Sequence, residues 1–289
     1  MPKVAKVRDG TDPGATLGEV FTASLGLQEI VREGAFLDYL MLGMNGAIAT
    51  AAVVIETFAD LLSEFSLRLG ADFRIVGDMN DLCALMGAYY KELPVLGENS
   101  DGTGNDFIGG MKVPVQAPIP EGMRIYNAAT RTAQTNVATE VLGISSHWGD
   151  DAAGKKPVHA VVITHTSAAA TGYEIVGKIL PQIGRLVKLL VAVVGANDLA
   201  DGNVDTSVQR IRVSSDKEVL SQWNVLTDGR TVAEVNLVAQ SIYADLLGRY
   251  KVFEVPAPGI SLKEQALSLS IDVQDVSDAL RIIPVIEME

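Results

Sequence analysis

The stretch ENSDGTGNDFIGG, Glu98 to Gly110, is the part of this chain most like a metal loop, because Asp101, Thr103 and Asn105 alternate as the oxygen ligands of calcium loops do. Asp106 stands at the sixth position, where such a loop needs glycine for its sharp turn, and no glutamate follows at the twelfth. Asp101, Asn105 and Asp106 therefore read as a solvated turn, and no metal ligand is assigned. His159 and His165 fall on one face of a single predicted strand. Six residues at ~3.3 Å each put them about 20 Å apart, too far to share a metal. His147, beside Trp148, lies in a loop-like stretch and reads as packing or a contact. Cys83 is the single cysteine, which rules out an intramolecular disulfide and any multi-cysteine zinc site. Its neighbours Leu82 and Leu85 predict a buried, unreactive thiol.

No HExxH, GxSxG or GxxxxGK[ST] occurs, so metalloprotease, α/β-hydrolase and P-loop mechanisms lack their residues. Gly102-Thr103-Gly104 begins a dinucleotide pattern without its third glycine. A glycosidase needs only two acids facing each other across a cleft, and 36 acidic residues offer many pairs that sequence cannot place. Sugar sites usually need aromatic platforms, and 6% aromatic residues with two tryptophans is thin support for one. No catalytic, cofactor-binding or metal-binding residue is assigned, and the chain is expected not to be an enzyme.

Whatever this chain does must therefore come from the elements that carry its surface. At 289 residues it is long for one domain, and 48% hydrophobic residues can fill two cores. The balance of 36 acidic against 23 basic residues gives a net charge of −13, which repels phosphate backbones and excludes direct nucleic-acid binding. The N-terminus MPKVAKVRDGTDPG has no apolar core after its basic residues, so it predicts neither a signal peptide nor a span but a loose arm. The longest charge-free run, Tyr39 to Ile55, is broken by Gly43, Asn45 and Gly46 and falls short of a transmembrane helix, so a soluble protein is expected.

In FSLRLGADFRIVGDMNDLCAL, Phe65, Leu67 and Leu69 alternate with Ser66 and Arg68, which is the period of a half-buried strand. Gly70, Ala71 and Asp72 make a turn, and Phe73 and Ile75 resume the alternation, so the unit is a hairpin. A helix follows from Leu82 through Leu85 to Tyr89, capped by Asp78 or Asn80. IRVSSDKEVLSQWNVL repeats this pattern at an offset of 144 residues. The offset lays Arg212 under Arg68, Ile211 under Leu67, Val213 under Leu69 and Asp216 under Asp72, then Val219 under Ile75, Trp223 under Met79, Asn224 under Asn80 and Leu226 under Leu82. Its place under Met79 makes Trp223 core rather than platform. Glu29-Ile30-Val31 likewise recurs as Glu174-Ile175-Val176 at an offset of 145.

Further strands are predicted at Lys112 to Pro120, Asn136 to Ser145 and from Val158. SAAATG, Ser167 to Gly172, reads as a linker. Beyond it, strands are predicted at Tyr173 to Ile179, Leu186 to Val194, Ser207 to Val213, Lys217 to Ser221, Tyr250 to Val255, Ala266 to Val273 and Leu280 to Ile286, with a helix near Val232 to Leu247. Many short strands separated by turn signals argue for antiparallel sandwiches, and about eight of them suffice for a jelly roll. The expected fold is mainly β, with an N-terminal arm at 1–14 and two tandem jelly-roll domains at 15–168 and 169–289.

The segments FADLLSEFSLRLGADFRIVGDMNDLCAL, GYEIVGKILPQIGRLVKLLVAVVG, VQRIRVSSDKEVLSQWN and SLKEQALSLSIDVQDVSDALRIIPVIEME together resemble the double jelly-roll major capsid proteins of tail-less icosahedral viruses, most nearly the compact corticovirus type. The resemblance implies a homotrimer whose six lobes tile a shell pseudo-hexagonally, located in the virion and made in the host cytoplasm. It implies as partners the neighbouring capsomers, other capsid proteins such as a penton, and an internal membrane or its proteins. It also brings structural calcium into view without supplying ligands from this sequence. The alternatives are a carbohydrate-binding or virion-attachment module on the same fold, a minor shell component, or a β-sandwich glycoside hydrolase.

Overall fold

The computed structural model describes residues 3–6, 25–48, 62–91, 95–100, 105–131, 137–149, 156–166, 172–180, 184–194, 208–235, 249–263, 267–273 and 279–288. The chain divides into two compact units, Met1–Met86 with Glu92–Val158, and Gly87–Lys91 with His159–Glu289. SAAATG thus follows the division, and its residues 167–171 lie outside the described residues.

The first unit contains β1 (Lys3–Lys6), β2 (Leu25–Ile30), β3 (Phe36–Ile48), β4 (Leu62–Leu69), β5 (Asp72–Gly77), β6 (Val95–Ser100), β7 (Asn105–Pro118), β8 (Ile125–Arg131) and β9 (Val137–Gly149). One sheet runs β1-β9-β3-β7-β6, and the strands of the second run β5-β4-β8-β2. The paired strands described in this unit are antiparallel, and most lie far apart in sequence, as in a jelly roll. The β4–β5 hairpin forms where alternation predicts it, with Phe65, Leu67, Leu69 and Ile75 buried. Gly70, at φ 64, makes its turn, and Asp72 already belongs to β5. Part of the expected arm is strand too, since β1 pairs with β9.

Asp78 caps α1 (Met79–Leu85), accepting from the Asp81 N–H at 2.9 Å while the Asp81 carboxylate accepts from the Asp78 N–H at 2.9 Å. Asn80 is therefore inside the helix and not its cap. The chain then widens into a π-helical turn, Met86–Tyr90.

The second unit carries β10 (Val158–Val161), β11 (Ile163–Thr166), β12 (Gly172–Leu180), β13 (Arg185–Val194), β14 (Val208–Ser215), β15 (Val219–Asn224), β16 (Arg230–Thr231), β17 (Lys251–Glu254), β18 (Ile260–Ser261), β19 (Leu267–Val273) and β20 (Ala279–Glu287). Two single-turn helices, α2 (Val225–Asp228) and α3 (Val232–Val235), follow β15 and β16. The rest of the helix expected up to Leu247 lies outside the described residues. Strands β16-β17-β13-β20-β10 form one sheet, with β11 added on β20 and β18 on β13, and β12-β19-β14-β15 form the other. Leu186, Leu189, Val191 and Ile282 from the first sheet and Ile211, Val213, Leu269 and Ile271 from the second share one core. Each such side chain contributes about 1.5–3 kcal/mol by leaving water.

The two units have the same strand order. Strands β9-β3-β7-β6 correspond to β20-β13-β17-β16, and β5-β4-β8-β2 to β15-β14-β19-β12. Register refines the repeat seen in sequence. Leu67 lies opposite Ile75 and Asn127, and Ile211 lies opposite Trp223 and Ile271. The offset of 144 therefore holds for β4 and β14 and fails at the next strand, because β14 and β15 run further past this pair before turning. Trp223, not Val219, takes the place of Ile75, and Val219 begins β15 two residues later than the strand predicted at Lys217. Leu82 is buried and Leu226 is exposed, so they are not counterparts. Gln28 opposes Asn127 and Glu174 opposes Ile271, which shifts the β2 and β12 correspondence by one from the letter match. Accordingly Ile30 is buried while Ile175 is exposed and Val176 is buried.

Asn127 is the polar counterpart, in the first unit, of Ile271 in the second. Both are fully buried, and among the described residues neither Oδ1 nor Nδ2 of Asn127 meets a hydrogen-bond partner. A buried amide left unpaired costs about 1–3 kcal/mol. Asn127→Val, which is close in volume and suits a strand, is expected to stabilise the protein by that amount, read as a higher urea midpoint at unchanged m value. No helix among the described residues is long and apolar enough to cross a membrane.

Candidate functional site

Among the described residues, those whose chemistry the sequence put forward do not come together. Asp101 and Thr103 lie outside the described residues, while Asn105 and Asp106 are the first residues of β7, opposite Ser100 and Asn99. Among the described residues no group of three or more histidine, cysteine or carboxylate side chains is placed to hold a metal ion. The strand predicted across His159 and His165 is two strands, broken at Val162. His159 is buried on β10, whereas the His165 ring on β11 meets the Glu174 carboxylate on β12 at 3.0 Å. Nothing in the spacing of the sequence signals that pair.

His147 lies in β9, which continues past the predicted Ser145 to Gly149, and not in a loop. Its ring stacks on Tyr39 of β3, centroids 4.2 Å apart, and Lys112 of β7 stands 5.2 Å from the Tyr39 centroid. Burial lowers the His147 pKa from 6.5, Asp38 opposes that fall and Lys112 adds to it. The pair is partly exposed packing between neighbouring strands, one of the two readings, packing or a contact, that the sequence offered. Cys83 is enclosed as expected: its thiol reaches the Met111 sulfur at 3.6 Å, and burial first, with Asp78 and Asp81, pushes its pKa up to about 12. Trp223 is core, donating its indole N–H to the Glu254 carbonyl at 3.1 Å and packing beside Phe253.

The segment Gly87–Lys91, which holds most of the π-helical turn, counts with the second unit, where the Tyr89 hydroxyl donates to Glu287 at 2.8 Å. Burial, then the hydrogen bond to Glu287 and its charge, raises the Tyr89 pKa. Lys188 and Glu254 form an ion pair across the paired strands β13 and β17. These contacts hold structure.

What the surface does present is apolar. Among the described residues the exposed large hydrophobic side chains are Leu27, Val31, Tyr173, Ile175, Val219 and Leu226. They lie on β2 or just after it, on β12, on β15 and on α2. All three strands end their sheets in the one kind of sheet that recurs in both units. By register Leu27 and Tyr173 occupy equivalent positions, so the edge keeps a large apolar residue in both units. Beside Tyr173 the surface is ordered: the Arg212 guanidinium lies 3.8 Å from its ring centroid, and Arg212 Nε and Nη2 donate to Gln222 Oε1 at 3.2 and 2.8 Å. That cluster spans the sheet from β12 to β15, and its Arg212 is the repeat of Arg68, which lies opposite Tyr126. Open sheet edges that carry exposed apolar side chains suit lateral contacts better than a catalytic cleft.

No protein-family model and no curated protein matches the sequence. Solved structures do match over nearly the whole chain. A chain in the atomic structure of Sulfolobus Turreted Icosahedral Virus aligns with a TM-score of 0.64 at 14% identity, over 92% of this chain and 89% of that one. The major capsid protein P2 from Bacteriophage PM2 aligns at 0.58 and 8% identity, over 100% and 98%. The Faustovirus major capsid protein aligns at 0.50 and 8% identity, over 100% and 89%. Likeness at such identities establishes the fold, which is mainly β and a double jelly roll, as expected from the sequence.

Proposed function

We propose that this chain is a major capsid protein, a structural subunit with no catalytic role, three copies of which form a capsomer whose six jelly-roll units pack pseudo-hexagonally into an icosahedral shell. The observation that carries this reading is the duplication itself: two units of one strand order in a single chain, each with apolar side chains exposed along the same sheet edge. A trimer of such chains presents six similar lobes, the shape that tiles a curved lattice, and it needs large lateral contacts instead of a cleft. Alignment end to end with major capsid proteins supports it. The chain would then reside in the virion, beside neighbouring capsomers, a penton protein and the components of an internal membrane. A net charge of −13 would hold free capsomers apart, and cations would screen that repulsion as the shell grows.

Light scattering across protein concentration and a calcium titration tests the reading. The expected result is a species of three times 30.7 kDa that grows into larger assemblies. A monomer at every concentration would overturn it.

A further inference from the structure

Strand β15 ends its sheet, pairing with β14 and, among the described residues, with nothing else. Its outer edge leaves a row of backbone N–H and C=O groups for another strand to take up. The side chains there are not those of a protected edge. Val219 is 48% exposed and Leu226, one turn beyond on α2, is 72% exposed. In the first unit, α1 follows the corresponding hairpin and buries Leu82 and Leu85 to 2%. The apolar surface at β15 and α2 is therefore specific to the second unit and lacks a cover within the described residues.

Its charge identifies the cover. Asp216 and Glu218, in the turn entering β15, are exposed, and their carboxylates have no partner among the described residues. Asp228 closes the far end of α2, where its carboxylate accepts from the Asn224 N–H at 2.8 Å. Val219 thus stands beside two exposed acids where β15 begins, and Leu226 stands near Asp228 beyond its end. Among the strands that end sheets, β2 and β6 each contain one glutamate and no basic residue, β12 contains one of each, and β16 is two residues long. Strand β1 is KVAK, two lysines with no acid, and among the described residues it pairs on one side only, with β9.

We infer that β15 of one copy takes β1 of a second copy as an added strand at its Val219 end, with the lysines of β1 drawn to Asp216 and Glu218 while the added strand covers Val219. Main-chain pairing supplies affinity in this mode and the charges set partner and direction. The contact joins two different surfaces, and each copy offers one of each, so a suitable rotation closes copies into a ring. This inference rests on the capsid reading and names the seam that reading leaves open.

The test is a charge exchange followed by light scattering at fixed ionic strength. Lys3→Glu with Lys6→Glu, and separately Asp216→Lys with Glu218→Lys, are each expected to raise the concentration needed for association at least tenfold. The chain carrying all four substitutions is expected to return to within about threefold of the unaltered protein. Val219→Asp is expected to weaken association as strongly as either pair. Association that ignores both charge reversals, or a four-substitution chain no tighter than either pair, overturns the β1–β15 contact and leaves the capsid reading standing. An unaltered protein that stays monomeric overturns both.

Discussion

Gly184→Ala is expected to destabilise the second unit by roughly 2–5 kcal/mol. Gly184 sits at φ 62 immediately before β13, and its carbonyl accepts from the Leu262 N–H at 3.0 Å. A Cβ there would run into the backbone carbonyl of Glu287, with that carbonyl carbon only 2.9 Å away, and would meet Ile286 Cγ2 at 3.1 Å. The obstacle is main chain at the start of the β13–β20 ladder, where Arg185 opposes Glu287, so it cannot swing aside as a side-chain tip can. Two costs add: the left-handed backbone that an L-residue resists, and the overlap itself. Gly70→Ala separates them, because Gly70 has φ 64 but an added Cβ meets nothing within 4 Å. It is expected to cost only about 1 kcal/mol. Each unit holds one of the two tryptophans, so urea unfolding of the second unit can be followed by Trp223 fluorescence in a Trp148→Phe background. A Gly184→Ala loss no larger than that of Gly70→Ala would show that the ladder yields.

Trp148→Ala is expected to cost the first unit about 3–5 kcal/mol. Trp148 is among the largest fully buried side chains, and its indole N–H donates to Ser146 Oγ at 3.0 Å. It lies on β9 opposite Leu37 of β3 on one side and Lys3 of β1 on the other, so the void opens at the strand to which β1 is attached. Cys83 provides the readout. It is the only cysteine, belongs to the same unit, and its pKa is pushed up from 9.0 to about 12, so the folded protein holds a neutral, enclosed thiol. Labelling then proceeds through opening of the unit. At 1.4 kcal/mol per tenfold, the substitution should speed labelling by about a hundred- to several-thousand-fold. A labelling rate within tenfold of the unaltered protein would mean that the site collapses around the lost ring.

The same thiol gives stability a defined dependence at high pH. Its pKa is higher folded than unfolded, so the unfolded chain releases the proton first, and stability contributed by the buried neutral form is lost as pH rises from about 9 toward 12.

Several local features were legible in the sequence, though the break at Val162 between His159 and His165 was not. The β4–β5 hairpin follows from side chains alternating at period two and from a glycine free to adopt positive φ at the turn. The α1 cap follows from Asp78 and Asp81, three residues apart, and the duplication follows from the recurrence of such patterns at a near-constant spacing. The burial of Cys83 was legible for the same reason, since it stands in an apolar local pattern, whereas Trp223 was expected in the core from its place under Met79 and is buried in the place of Ile75 instead.

Tertiary structure decided what depends on partners distant in the chain. Sequence alone could not see that β14 and β15 run on past the repeated pair, because register is set by pairing across strands and a longer turn changes it without erasing the letter match. Nor could it bring His147 onto Tyr39 or His165 onto Glu174, or leave Asn127 unpaired where Ile271 packs. Sequence by itself determined the strand content, the duplication and the excess of acid over base. Which edges stay open, and which apolar side chains stand on them, was decided only when strands far apart in sequence came together. Periodicity belongs to a segment, whereas an edge exists only in relation to the neighbours that a strand has or lacks.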